Sequence, residues 1–174
     1  LFEGDAERGE QADAGYADGL TLTLNLPNSS EQQNIGVIAQ NMWREIGVTA
    51  EIATASTSEV IAAGRRGDNQ IVVMAATYST GDPGHALADF DTRSDGFLRP
   101  NDTHIDELLD QGSATYDETE RAAVYAELQE YIYGQYYMIP VANKTVNCVI
   151  TDKVENFYCD PGNIPSFAGV VVYE

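Results

Sequence analysis

Leu20, Leu22, Leu24 and Leu26 alternate with Thr21, Thr23 and Asn25, and Pro27 halts the run. A period of two predicts a half-buried strand. Ahead of it, residues 1–19 carry Glu, Asp, Gly and Ala with almost no apolar face, and read as a weakly structured arm or a poor helix ending at Gly15. Behind it, the polar run Ser29-Ser30-Glu31-Gln32 offers an N-cap and a capping-box Gln. Ile35, Ile38, Ala39, Met42 and Ile46 then recur every three or four positions, predicting a helix that buries this stripe and stops at Gly47. Val48–Ile52 reads as a second strand, and Ser56-Thr57-Ser58-Glu59 as the capping box of a short helix ending near Gly67. Gln70–Tyr78 is a continuous apolar run rich in β-branched residues, the pattern of a central strand covered on both faces.

Strand, helix, strand, helix, strand is the α/β order, with parallel strands joined by right-handed crossovers. The polar stretch 79–101, with Gly81-Asp82-Pro83-Gly84, breaks the rhythm. A helix from Thr103, capped by that residue, runs to about Gly112 with Ile105, Leu108 and Leu109 inward. Another runs from the box Asp117…Glu120 to Gly134, burying Val124, Leu128 and Ile132. Met138–Ala142, Val146–Ile150 and Val170–Val172 return to strand character. Residues 20–174 are therefore expected to form a single α/β lobe behind the arm.

The 174 residues suffice for one domain with a sizeable core. Twenty-eight Asp and Glu against nine Lys and Arg give a net charge of −19, with lysine only at Lys144 and Lys153. Such a surface repels phosphate backbones, which argues against nucleic-acid binding. The longest apolar run, Ile71–Ala76, falls far short of a membrane span. No secretory leader opens the chain and its first residue is Leu1, so we expect a processed or excised piece of something longer.

Signatures of catalysis are missing: there is no G-x-S-x-G elbow, zinc helix, Walker loop or G-x-G-x-x-G. His85 and Asp89 near Asp82 are the thin makings of a metal site, and a polar turn with a solvated histidine is the better reading. No metal or cofactor is expected. Asp106-Glu107 read as solvated helix-face charges, and His104 has no evident partner. Of the tyrosines, Tyr125 and Tyr131 flank a buried stripe and should cover the core edge with their hydroxyls wet. Thr77-Tyr78-Ser79-Thr80-Gly81-Asp82 follows a buried strand, so it starts at the strand's carboxyl end, where α/β folds place ligands. Thr77, Tyr78, Ser79 and Asp82 are the candidate ligand-binding residues, with Asp82 better suited to capping the Pro83-Gly84 turn. Cys148 and Cys159 would stay reduced in a cytosolic protein and join in an exported one. Closing so short a loop is worth about 3 kcal/mol in lost chain entropy.

Several stretches together resemble the extracellular solute-binding proteins of family 5, the dipeptide, oligopeptide and nickel receptors of ABC importers. Ala14-Gly15-Tyr16-Ala17-Asp18-Gly19 before an alternating strand is similar to the family's A-G-Y-x-D-G opening. Ile38 to Val48, Gly67 to Ile71 and Ala75 to Pro83 resemble its following helix, strand and loop. Ile105-Asp106-Glu107-Leu108-Leu109 and the run Glu120-Arg121 through Ile139-Pro140-Val141 resemble its closing signature. Glu10-Gln11 stand where the family carries a Leu pair.

The resemblance implies a lobe of the type II periplasmic-binding-protein kind, a mixed and mostly parallel sheet flanked by helices, from the C-terminal part of a receptor whose N-terminal lobe lies elsewhere. It implies an extracellular or periplasmic location, anchored to the membrane through the longer protein, which agrees with joining Cys148 to Cys159. The implied partners are a small solute, peptide or oligosaccharide, and the membrane subunits of an importer; catalysis is not implied. The family's cleft Trp and the Asp that holds a peptide's amino group fall on Ala76 and Ser79. A neutral hydroxyl cannot supply that charge-assisted bond, which shifts the expectation toward a neutral ligand such as an oligosaccharide or a blocked peptide. A ligand-sensing domain of a membrane signalling protein with the same fold is the alternative reading.

Overall fold

The computed structural model describes residues 4–78, 80–98, 100–143, 145, 147–160 and 164–173. The chain divides into two compact units, Leu1–Ala76 with Asp95–Arg99 and Thr77–Ser94 with Pro100–Glu174. The division falls in the segment that follows the third strand, where the alternation of strands and helices ends.

In the first unit, α1 (Gly4–Asp13) is a helix where an arm or poor helix was expected. Gly15, at φ 90°, turns the chain after it, with its N–H donating to the Ala12 carbonyl. The alternating leucines form β1 (Leu20–Pro27), with Leu24 and Leu26 fully buried. β1 pairs in parallel with β2 (Val48–Ala55) along its whole length, and with β3 (Ile71–Val72) through Leu24 and Asn25. The sheet order is β2-β1-β3. Gln70–Tyr78 is thus not a central strand: two residues pair at an edge, Val73 adds one hydrogen bond to Asn25, and Ala75–Thr77 are exposed. The central place belongs to β1, because a strand needs neighbours on both sides to be covered and, among the described residues, only β1 has them.

Helix α2 (Ser30–Glu45) crosses from β1 to β2 and α3 (Thr57–Arg66) from β2 to β3. Gly36 lies so close to Leu26 that a Cβ there would sit 2.5 Å from its Cδ1, so helix and strand meet at van der Waals contact only because position 36 lacks a side chain. That close approach tilts the helix face relative to the expected stripe: Ile35 and Ala39 are half-buried, but Ile38 and Met42 are exposed. Ser29 caps α2 with its backbone alone, without the expected side-chain bond. The box on α3 forms as read: Glu59 N–H donates to Ser56 Oγ (3.3 Å), and Ser56 N–H to Glu59 Oε2 (2.9 Å). Gly67 ends α3 in the left-handed region.

The second unit packs α4 (Pro83–Leu87), a 3₁₀ turn (Ala88–Phe90), α5 (Thr103–Ala114) and α6 (Glu118–Gly134) around Leu87, Phe90, Ile105, Leu108, Leu109, Val124, Tyr125, Leu128 and Ile132. Asp102, not Thr103, caps α5, accepting from His104 N–H at 3.0 Å. Asp117 caps α6 by accepting from Thr119 and Glu120 N–H. Asp106 is buried rather than solvated: Thr92 N–H donates to its Oδ1 (2.9 Å) and the Thr92 hydroxyl to its Oδ2. A terminal antiparallel ribbon pairs β4 (Val154–Glu155) with β7 (Val171–Val172) and β5 (Tyr158–Cys159) with β6 (Pro165–Ser166). Met138–Ala142 and 147–150 form no strand among the described residues, since no neighbouring strand is there to pair with them; Val146 lies outside those residues. No helix of the described residues is long and apolar enough to cross a membrane.

Candidate ligand-binding site

The loop singled out from sequence opens the second unit. Thr77 is exposed, Tyr78 half-buried, and Ser79 lies outside the described residues. The Tyr78 hydroxyl donates to Asp89 Oδ2 at 2.8 Å, and its ring meets the His85 ring edge to face at 5.5 Å. Burial, and then the Asp89 carboxylate, push the phenol up to about 12, so at neutral pH this hydroxyl is a committed donor and no acid or base. His85 Nδ1 in turn meets the Thr80 hydroxyl at 3.0 Å. Tyr78 thus engages both Asp89 and His85, and no group of three or more His, Cys, Asp or Glu that could hold a metal gathers among the described residues.

Asp82 behaves as the turn chemistry predicts. It caps α4 by accepting from Gly84 N–H at 2.7 Å, and its own N–H donates to Thr80 Oγ1. The sequence reading missed its second partner. Arg121 on α6 reaches both Asp82 carboxylate oxygens through Nη2 at 3.0 Å, and donates from Nε to the Gly112 carbonyl, also at 3.0 Å. That guanidinium holds the Asp82 carboxyl below its ordinary range, and the carboxylate raises the arginine in return. Arg121 also lies over the Tyr125 ring, 4.8 Å from its centroid, and donates to its hydroxyl at 3.3 Å. Tyr125 is accordingly buried with its hydroxyl bonded, not wet as its helix position implied.

Asp82 therefore acts as the peg that fixes the loop's exit to α6. The charge pairing of Asp82 with Arg121 has no local sequence signal, because the two stand 39 positions apart. A third cluster also escaped the sequence: Tyr131 and Tyr137 both donate to Asp102 Oδ2, at 2.9 and 3.1 Å, and His104 packs on the Tyr131 ring at 4.6 Å. Those hydrogen bonds, from Tyr131 first, lower the Asp102 carboxyl. Cys148 is exposed and Cys159 is half-buried in β5.

No protein-family model matches the chain. The chain is 26% identical over 168 residues to di/tripeptide-binding protein 1 of Pseudomonas aeruginosa, spanning 91% of this chain and 31% of that protein. It is 23% identical over 180 residues to heme-binding protein A of Haemophilus influenzae, spanning 97% of this chain and 33% of that protein. A dipeptide-binding protein from Pseudoalteromonas, solved in complex with Met-Leu, superposes with a TM-score of 0.77 at 19% identity, over 99% of this chain and 36% of that one. The chain thus spans about a third of the length of the proteins it matches. These neighbours are solute-binding proteins, and the structural ones are type II periplasmic binding proteins, so the expected α/β fold with a parallel sheet flanked by helices is the one observed.

Proposed function

We propose that this chain is a ligand-binding lobe of an extracellular or periplasmic solute receptor that hands peptide-like or other small solutes to an ABC importer, and that it is not an enzyme. The observation that carries this reading is its likeness, over nine-tenths of its length or more, to proteins named for binding di- and tripeptides, dipeptides and heme. The loop 77–82 supports it from within. It leads away from the carboxyl side of a parallel strand, where α/β folds gather their ligand-contacting loops. Asp82, at its end, is held by a capped turn and an ion pair.

Ser79 in the place of an amine-binding carboxylate favours a solute without a free amino terminus. Tyr78 would offer its ring face, and Thr77 and Ser79 their hydroxyls, while Asp82 stays with Arg121. The experiment is a calorimetric and thermal-shift comparison on the longest polypeptide carrying this chain, with free peptides, amino-blocked peptides and oligosaccharides. A bound solute should raise the unfolding midpoint by mass action. Tyr78→Ala and Ser79→Ala should then weaken it by roughly 1–3 kcal/mol each, the cost of a lost aromatic contact or an unpaired polar group. Wild-type affinity in both variants would place the site elsewhere. Tighter binding of free than of blocked peptides would overturn the neutral-ligand assignment while leaving the receptor reading intact.

A further inference from the structure

Three Asn-x-Ser/Thr tripeptides without a central proline stand in the chain: Asn28-Ser29-Ser30, Asn101-Asp102-Thr103 and Asn143-Lys144-Thr145. In each, the asparagine and the hydroxyl residue two positions on are both exposed. None of the three carboxamides, and none of the hydroxyls of Ser30, Thr103 and Thr145, is hydrogen-bonded among the described residues. Elsewhere the fold puts its asparagines to use. Asn25, Asn69 and Asn156 donate from Nδ2 to the carbonyls of Ile71, Val60 and Gly169, and Asn41 Oδ1 accepts from Arg44. None of those four begins such a tripeptide.

Two of the tripeptides share one placement, each in its own unit. Ser29 (φ −123°, ψ 132°) and Asp102 (φ −119°, ψ 106°) are the extended caps of α2 and α5. The asparagine therefore stands ahead of the helix, and the hydroxyl sits on its first residue. Capping does not need that hydroxyl, since Ser29 caps α2 with its backbone and the Asp102 carboxylate caps α5. A left-handed φ of 56° suits an asparagine at Asn101 for its own sake, but Asn28 and Asn143 have no such backbone need.

We infer that Asn28, Asn101 and Asn143 are acceptors of N-linked glycans, an assignment that rests on the extracellular or periplasmic reading of the chain. The co-substrate is a lipid-phosphate-linked oligosaccharide, and the catalyst is a membrane transferase outside this chain. The asparagine Nδ2 attacks the anomeric carbon of the first sugar. The N–C bond forms as the C–O bond to phosphate breaks, the lipid phosphate leaves with that electron pair, and one amide proton passes to a base of the transferase. Nothing is oxidised or reduced. The unbonded hydroxyl two residues on is the handle the transferase holds, and no hydrogen bond of the fold is broken when the carboxamide is taken.

The longest polypeptide carrying this chain is purified from the cells that make it, digested with trypsin and sequenced by mass spectrometry. Asn28 falls in peptide 9–44, Asn101 in 94–121 because Pro100 blocks cleavage after Arg99, and Asn143 in 122–144, or in 122–153 where a glycan slows cleavage after Lys144. Each asparagine should carry a saccharide mass. Ser30→Ala, Thr103→Ala and Thr145→Ala should each lose it at their own site alone with the unfolding midpoint unchanged, and Thr103→Ser should keep it. A peptide found only at its bare mass overturns the assignment of its asparagine. A saccharide that maps to a hydroxyl, or that survives removal of the hydroxyl, overturns the tripeptide as its cause. Fractionation of the same cells reads location separately. Bare peptides from exported protein would overturn the glycan assignment and leave the receptor reading intact, whereas cytoplasmic protein would overturn the location on which both rest.

Discussion

Gly112→Ala is a helix substitution that ought to stabilise by propensity and is expected here to do the reverse. Gly112 lies in α5 against the face of Tyr125, which is only 2% exposed. A Cβ at position 112 would stand 2.6 Å from the Tyr125 Cζ, and 2.9 and 3.0 Å from its Cε atoms. The ring would have to retreat by about 0.8 Å to reach the 3.4 Å of an ordinary contact. The ring has little room to move: its hydroxyl comes within 2.5 Å of the place a Cβ on Gly84 would take, and Arg121 lies over it. Overpacking a buried site of this kind costs about 1–3 kcal/mol, and a ring also crowded at its hydroxyl puts it near the upper end. The helix-propensity gain of Gly→Ala returns only about 1 kcal/mol. The net expectation is a loss of about 2 kcal/mol, or roughly 4–8 °C in the unfolding midpoint for a chain of this size. Thermal melts followed by far-ultraviolet circular dichroism read it. Gly134→Ala is the matched control: it closes α6 with nothing near its Cβ, and should raise the midpoint or leave it unchanged. An equal or higher midpoint in Gly112→Ala would refute the account of Tyr125 as a ring gripped between two glycines.

Asp117→Ala removes the acceptor of the Thr119 and Glu120 amides and should cost about 1 kcal/mol in urea titrations. Asp82 and Asp102 are held below the ordinary carboxylate range in the fold, so the folded form binds fewer protons than the unfolded one as pH falls. Their stabilisation is whole above the unfolded carboxylate pKa of about 4 and is lost as pH drops through the lower folded values; Asp82→Asn should flatten that acid limb in denaturation series between about pH 6 and pH 2.5. Tyr78, pushed up to about 12, should be among the last phenols to ionise in an ultraviolet titration, and Tyr78→Phe should remove that late component while sparing the rest.

The elements most legible in the sequence are those whose signal is local. The alternation of Leu20–Leu26, the Ser56–Glu59 box and the stripe Val124, Leu128 and Ile132 each depend on residues a few positions apart, and each appears as read. The misreadings share one cause, partners distant in sequence. Gln70–Tyr78 has the composition of a central strand, but the sheet gives it one neighbour, so pairing stops at Val72. Ile38 and Met42 fit a helical stripe, but the contact of Gly36 with Leu26 decides which face of α2 turns inward. Asp106 looks like any helix-face carboxylate until Thr92, fourteen positions upstream, folds onto it.

The same logic bears on the loop. From sequence, Asp82 carries the only charge among the four candidate residues and is better suited to capping the Pro83-Gly84 turn than to touching ligand. Its geometry agrees. The carboxylate is engaged by two donors, the Gly84 amide and Arg121, and Arg121 is itself tied to Gly112 and Tyr125. To bind a ligand amine, Asp82 would have to give up the Arg121 Nη2 that meets both its oxygens and leave Arg121 facing the Tyr125 ring without its counter-charge. On the proposed reading, Thr77, Tyr78 and Ser79 are the uncharged candidates left for a solute, and an oligosaccharide or an amino-blocked peptide would need no counter-charge from them, which is the physical ground for proposing neutral solutes.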